Sequence, residues 1–356
     1  MNDLKQTKVN PNDLKQIKVK VKVTTLDKKY RKLARILEEY HSTAHWKVIE
    51  AIRFEIFAPN KNFKERQKAY EDYKDVILKL KPIFKRLIIE RNRLAREEGY
   101  KNYFEFITQK DGVPKEKINF FFTKADKIIK DINHKLPLPK ILPGWYWSEF
   151  NIPDALSLVN VPKYSIPDDI HKMAEKFHPE IKRIISRIKI EKIEGFYPRT
   201  KFVKETKSVV VEASTEPSIY NFLTFVHELG HAIAFITLAE KGIDPLSKSK
   251  YWQEKQAYNF KVEFEELALS EKVKNASRGE VLGDFFTALF EWTIYTNSNQ
   301  DFDEAYAKAF NRCYLYAAGQ KKNPFYVLEN GLVLGPCSVV TASVVEAELL
   351  LPKLNK

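Results

Sequence analysis

Two histidines four residues apart, His227 and His231, lie inside a strongly apolar segment of the sequence. From residue 222 to residue 235 the segment reads Phe-Leu-Thr-Phe-Val-His-Glu-Leu-Gly-His-Ala-Ile-Ala-Phe. On an α-helix, residues four apart share one face, so both imidazoles are directed to the same place. A helix that is apolar on nearly every side is a buried helix. The segment therefore predicts a buried helix that presents two imidazoles from the wall of a cleft.

The residue types in this motif are those of a hydrolytic metal site. Neutral imidazole nitrogen is a preferred zinc ligand, and catalytic zinc sites keep one position open for water. Glu228 directly follows the first histidine and is placed to take the proton of that water as general base. The motif predicts one zinc ion held by His227 and His231. The alternative is a pair of ordinary histidines on a buried helix.

A third protein ligand is needed, and no histidine follows His231. We therefore expect a carboxylate from a later helix. Glu280 and Asp284 share one face of a segment that is otherwise apolar, and burying an unpaired charge is costly. Glu280 is predicted as the third ligand, with Asp284 accepting the free N–H of a ligand histidine. Glu266 is the alternative third ligand, because it lies closer to His231 in the sequence.

Periodicity along the chain predicts a mainly α, multi-helical fold with a deep cleft. The best strand candidate is 208–215, expected as the edge strand of a small β element near the cleft. Pro59, Pro82 and Pro114 mark expected breaks or kinks in the helices. Apolar residues at spacings of three and four predict helices at 26–42, 44–57, 63–98, 101–109, 115–133, 168–188, 219–241, 250–274, 278–297, 302–318 and 324–350.

The pattern along the chain predicts a basic tail at 1–24 followed by one catalytic domain at 25–356. Within that domain we expect an N-terminal helical part at 25–134 and a zinc-binding part at 168–350. No stretch resembles a flexible interdomain linker. The two cysteines, Cys313 and Cys337, cannot form a disulfide framework, which favours a cytoplasmic protein. No apolar run approaches the roughly 18–20 residues that a membrane span needs, so no membrane partner is expected.

The net charge of +13 raises the alternative of a nucleic-acid-binding protein. About half of this excess is carried by residues 1–31, which hold nine lysine and arginine residues and three aspartates. A basic terminus of this kind is usually a solvated tail. The sequence contains no recognised nucleic-acid motif, so no specific nucleic-acid partner is expected.

Several further segments resemble known zinc peptidases. The stretch from Glu280 through Asp284 to Glu291 is similar to the third-ligand helix of gluzincin metallopeptidases. Residues 90–106 and the Asn-Pro-Phe-Tyr segment at 323–326 are closer to the thimet oligopeptidase and oligoendopeptidase F family. The sequence thus resembles a gluzincin of that family in a shortened form, in which an N-terminal subdomain is expected to be missing.

The resemblance implies a zinc metalloendopeptidase that acts on short unfolded peptides. It implies His227, His231 and Glu280 as ligands and Glu228 as the base. Tyr326 is implied as a hydroxyl donor to the oxyanion. The family generally keeps a histidine near its C-terminal tyrosines, and this chain has none there. A catalytically weak or inactive zinc-fold protein that binds peptides is therefore the alternative function.

Overall fold

The structure is a computed structural model that describes part of the chain. The predicted tail at 1–24 and the predicted helix at 44–57 lie outside the described residues, apart from Ala44. The described residues are 28–44, 63–136, 142–143, 184, 187–193, 199–214, 219–315, 317–318, 332 and 336–354.

The mainly α, multi-helical prediction is confirmed. Short 3-10 turns at Lys28–Tyr30 and Pro245–Ser247 precede α1 and α6. The α-helices of the described residues are α1 (Arg31–Ala44), α2 (Phe63–Glu97), α3 (Tyr103–Lys110), α4 (Lys115–Lys135), α5 (Ile219–Glu240), α6 (Lys250–Ala268), α7 (Glu271–Thr296), α8 (Phe302–Cys313) and α9 (Val340–Leu354). The strands are β1 (Leu142–Pro143), β2 (Ile188–Ile193), β3 (Arg199–Val203), β4 (Ser208–Ser214) and β5 (Ala317–Ala318).

The predicted strand at 208–215 exists as β4, but its expected position at the edge of the sheet is wrong. The sheet has the order β2–β4–β3, so β4 is its central strand. β2 pairs with β4 in parallel and β3 pairs with it antiparallel. Both sides of β4 are therefore occupied. The helix predicted through residue 188 is also corrected, because Ile188 begins β2.

α2 runs through Pro82 without ending there, although the sequence predicted a break or kink. Proline removes one backbone hydrogen bond from a helix interior. Packing compensates here, since Ile77, Leu80, Ile83 and Phe84 on either side of Pro82 are all buried. Pro114 behaves as predicted, because it is the N-cap residue of α4.

The buried side chains form two clusters. The larger joins α1–α4 to α7, α8 and α9, and its centre includes Phe84, Phe121 and Phe285. The smaller joins the three-stranded sheet to α5 and includes Val209, Val211 and Phe225. α6 packs against both α5 and α9, so this helix lies between the two clusters.

α5 is long and apolar enough to cross a membrane, judged by its length and composition alone. The window Asn221–Glu240 has a mean hydropathy of 1.5, which corrects the expectation that no segment is so long and apolar. Of this window, 72% is buried inside the protein. Burial against the sheet and α6 accounts for the apolar composition.

Candidate metal centre

A close crossing of α5 and α6 sets the geometry of the site. Gly230 lies between the two motif histidines on α5. A Cβ atom at this position would lie 2.7 Å from the Ala257 Cα and 2.9 Å from the Ala257 carbonyl oxygen on α6. Because both of these are backbone atoms, they cannot be moved by a change of rotamer. Glycine in the motif therefore allows α6 to approach the histidines.

The approach of α6 brings Glu254 to both imidazoles. Glu254 precedes Ala257 by three residues, so both lie on one side of α6. Its Oε2 atom is 3.4 Å from His227 Nε2 and 3.8 Å from His231 Nε2. The side chains of the two histidines are 15% and 12% exposed, so solvent has limited access to them. Two nitrogens and one oxygen thus converge at one place.

The donor atoms suit a tetrahedral divalent ion. Ligands about 2.0–2.1 Å from zinc in tetrahedral geometry lie roughly 3.3–3.5 Å from each other. The distance from Glu254 Oε2 to His227 Nε2 falls in this range, and the distance to His231 Nε2 is slightly longer. Donor atoms of His227, Glu228 and His231 also lie within 4.8 Å of one another. These residues could hold one metal ion.

The electrostatics favour the protonation states that metal binding requires. Burial, reinforced by the neighbouring His227, lowers the pKa of His231 to about 4, so its imidazole is neutral at pH 7. Burial alone would raise the pKa of Glu254, but interactions with the two imidazoles outweigh burial and lower that pKa to about 2. Neutral imidazole and ionised carboxylate are the forms that bind metals.

Thr200, a residue of the sheet, hydrogen-bonds Glu228. The Thr200 hydroxyl on β3 lies 2.7 Å from Glu228 Oε2 and 2.8 Å from the Glu228 carbonyl oxygen, and it donates to one of them at a time. Burial raises the pKa of the Glu228 carboxyl, while His227 and the Thr200 hydrogen bond oppose that rise. The candidate base thus has one oxygen engaged by β3.

β3 is fixed to β4 by ion pairs that flank Thr200. Arg199 and Lys201 both contact the Glu212 carboxylate on β4. Side chains alternate between the faces of a strand, so these two cations lie on one face and Thr200 on the other. The Glu212 side chain is buried despite its charge. The ion pairs therefore hold the register that directs Thr200 toward α5.

The carboxylates chosen from the sequence lie elsewhere. Glu280 Oε2 is 3.5 Å from Lys261 Nζ, and the other oxygen of Glu280 is buried without a hydrogen-bond partner. Glu266 forms ion pairs with Lys274 and Arg278 on α7. Glu280 and Glu266 thus contact cations on α6 and α7, whereas Glu254 lies beside both imidazoles.

Asp284 is not hydrogen-bonded to the His231 Nδ1 atom. Its charge acts on Tyr258, Lys261 and Glu346. His231 Nδ1 is buried without a hydrogen-bond partner, so Asp284 does not accept its proton. Tyr326, the remaining predicted site residue, lies outside the described residues.

Glu254 was not predicted as a site residue, although the sequence contains a pattern that could have indicated it. Glu254 stands in the charge-rich segment Tyr-Trp-Gln-Glu-Lys-Gln, where it reads as one more solvated residue. However, the small Ala257 follows it at a spacing of three. A helix that must approach Gly230 closely needs a small residue at the crossing, and a carboxylate on the same face is then directed to the histidines.

The comparisons with known proteins agree with this fold. The chain superimposes on PZ peptidase A, solved with an inhibitor, with a TM-score of 0.59 and 13% sequence identity over 90% of this chain. It also superimposes on a structure described as an oligoendopeptidase F, with a TM-score of 0.60 and 14% identity over 92% of the chain. A third match, described as an oligoendopeptidase F from Bacillus anthracis, has a TM-score of 0.52 and 13% identity, again over 92%.

These likenesses establish the fold. This chain spans 65% of the PZ peptidase A chain and 66% of each oligoendopeptidase F chain, so about a third of each has no counterpart here. No protein-family model matches the sequence, and no curated protein is similar to it. The oligoendopeptidase-like fold is therefore evident from the backbone at an identity of only 13–14%.

Proposed function

We propose that this protein is a zinc-dependent endopeptidase that hydrolyses short, unfolded peptides. The observation that carries the proposal is the convergence of His227 Nε2, His231 Nε2 and Glu254 Oε2 beside Glu228. The fold shared with PZ peptidase A and oligoendopeptidase F supports it. In this proposal Glu254 takes the role of third ligand that the sequence had suggested for Glu280 or Glu266.

His227, His231 and Glu254 would hold the ion. A zinc ion bound there supplies a Lewis acid that lowers the pKa of a bound water and polarises a carbonyl group. Glu228 is the general base in this proposal: its carboxylate accepts a proton from water and later gives it to the leaving amine. Thr200 keeps Glu228 Oε2 in a fixed position, which leaves Oε1 for the proton.

β3 is the strand we assign to substrate binding. The sequence had suggested 208–215 as the edge strand of this sheet, but β4 has neighbours on both sides. Among the described strands, β3 pairs only with β4, so its outer edge can pair with an extended peptide by strand addition. Thr200 on β3 contacts the candidate base directly, which would place the peptide backbone beside the site.

The proposal is tested by metal content and peptide cleavage in one preparation. Purified protein should contain close to one zinc per chain and cleave members of a quenched fluorescent peptide library. The Glu228→Gln variant should keep the zinc and lose cleavage. A wild-type protein without zinc would overturn the proposed metal site. Zinc without cleavage of any peptide would favour the alternative, a catalytically inactive zinc-fold protein that binds peptides.

A cytoplasmic location remains part of the proposal. Buried, unpaired thiols at Cys313 and Cys337 are compatible with a reducing compartment. Cell fractionation followed by immunoblotting would test this location, and recovery of the protein in a secreted fraction would contradict it.

A further inference from the structure

Tyr258 packs against the His227 imidazole. The centroids of the two rings are 4.5 Å apart, with an interplanar angle of 70°, which is an edge-to-face contact. Tyr258 follows Glu254 by one helical turn on α6. One face of α6 therefore carries both the carboxylate that approaches His227 Nε2 and the ring that packs against the same imidazole.

The hydroxyl end of Tyr258 is anchored on a different helix. It hydrogen-bonds the carboxyl of Glu346 on α9, which is only 6% exposed. The other oxygen of Glu346, Oε2, is buried without a hydrogen-bond partner. α6 and α9 pack against each other, so this bond connects adjacent helices. A chain of contacts thus runs from α9 through Tyr258 to His227.

A small cavity adjoins Tyr258. This cavity has a volume of about 20 Å³ and is lined in part by Lys261, Glu265, Ser277 and Glu346. Its size is close to what one water molecule needs. Lys261 Nζ contacts Glu280 at 3.5 Å and Glu265 at 3.8 Å.

The two imidazoles are supported in different ways. His231 packs against Phe235, one turn further along α5, with ring centroids 5.9 Å apart. His227 has the Tyr258 ring on α6 instead. Metal sites depend on groups around the ligands that fix the orientation of each ring, and loss of such groups typically weakens binding.

We propose that Tyr258 is a positioning residue for His227, and that Glu346 on α9 holds Tyr258 in place through its hydroxyl. This inference rests on the proposed metal site and deepens it, because it makes α9 a determinant of metal affinity. Tyr258 touches neither water nor substrate in this role; it restricts the rotation of the imidazole about its side-chain torsions.

The test measures zinc affinity by competition with a chromogenic chelator. Tyr258→Leu removes the ring and should weaken zinc binding by about 10–100-fold. Tyr258→Phe and Glu346→Leu each remove the hydrogen bond but keep the ring, so they should weaken binding by a smaller factor. The double variant Tyr258→Phe/Glu346→Leu should be no weaker than either single variant, since both remove the same bond.

Tyr251→Phe is the matched control. Tyr251 lies on α6 and donates from its hydroxyl to Glu348 Oε2 on α9 at 2.7 Å, so its loss removes the same kind of interhelical bond. No ring contact joins Tyr251 to His227. This control should lower thermal stability without changing zinc affinity. Equal loss of zinc affinity in Tyr251→Phe and Tyr258→Phe would show a merely structural effect and overturn the inference.

A spectroscopic readout separates orientation from folding. Co²⁺-substituted Tyr258→Phe should show shifted visible d–d bands, whereas Co²⁺-substituted Tyr251→Phe should match wild type. Wild-type affinity and spectrum in Tyr258→Leu would overturn this inference alone. A wild-type protein that binds neither Zn²⁺ nor Co²⁺ would overturn the proposed function and the inference with it.

Discussion

Gly230 on α5 and Ala257 on α6 are packed so closely that no side chain fits between them at position 230. We predict that Gly230→Ala pushes α6 away and weakens zinc binding, because Glu254 moves with α6. Overpacking costs about 1–3 kcal/mol, and the gain of about 1 kcal/mol in helix propensity only partly offsets it. Both the zinc affinity and the free energy of unfolding measured in urea should decrease.

Gly279→Ala is the control for this prediction. Gly279 is also a buried helical glycine, but the nearest atom to an added Cβ is the flexible Leu136 Cδ2 at 3.1 Å. That side-chain end can move aside, so zinc binding should be unchanged. Wild-type zinc affinity in Gly230→Ala would contradict the role assigned to this helix crossing.

Glu254→Gln should lower the zinc content of the protein, whereas Glu280→Gln should not. Removing the charge of Glu254 should weaken zinc binding by more than the roughly 10–100-fold typical of outer-shell partners. Glu280→Gln should leave zinc bound and lower stability instead, since Lys261 then loses an ionised partner. Metal analysis after dialysis distinguishes the two. Loss of zinc from Glu280→Gln alone would restore the ligand suggested by the sequence.

Thr200→Val should lower the turnover of peptide and leave zinc affinity unchanged. The substitution keeps the shape of the side chain but removes the hydrogen bond to Glu228. A hydrogen bond to a charged group contributes about 1.5–3 kcal/mol, which corresponds to roughly a 10–100-fold loss in kcat. Thr200→Ser restores the hydroxyl and should restore most of the rate. A change in KM with an unchanged kcat would argue against a role in positioning the base.

The stability of the fold should fall at acid pH as Glu348 becomes protonated. Glu348 accepts hydrogen bonds from Tyr251, Lys255 and Lys117, and these outweigh burial and lower its pKa from 4.5 to about 2. A carboxyl whose pKa is lower in the folded state stabilises the fold above its unfolded pKa. That contribution is lost as pH falls from 4.5 toward 2.

The measurement compares urea unfolding of wild type and Glu348→Gln across this pH range. The variant should be less stable at pH 7, and the difference should shrink below pH 4.5. Glu304→Gln, which disrupts the exposed pair with Lys308, is the control and should change stability by about 1 kcal/mol or less. A difference that stays constant from pH 7 to pH 2 would contradict the prediction.

The sequence was sufficient for the helical fold and the motif helix because both depend on local patterns. Predicted helices at 63–98, 101–109 and 219–241 differ from α2, α3 and α5 by at most two residues at either end. β2 was missed although Ile188 and Ile190 alternate with Lys189 and Glu191, a pattern typical of a strand. The helix predicted at 168–188 overlaps β2 only at Ile188, and residues 189–193 were assigned to no element.

Glu254, the carboxylate that lies beside both imidazoles, was not among those chosen from the sequence, because the decisive contacts are not local. Glu280 has a charged partner, as a buried carboxylate requires. Its contact is Lys261, a residue on another helix whose burial the sequence does not reveal. Burial alone would lower the pKa of Lys261, but Glu280 and Glu265 outweigh burial and raise it. Glu254 became a candidate only when the packing of α5 on α6 was known.

The alternation of side chains along β3 disfavours any other pairing register with β4. If β3 slipped by one residue relative to β4, Thr200 would leave Glu228 and either Arg199 or Lys201 would take its place. A guanidinium or ammonium group there would neutralise the candidate base, and Glu212 would lose both of its cations. The arrangement that keeps the base available is therefore also the one that keeps Glu212 paired on the opposite face of the sheet.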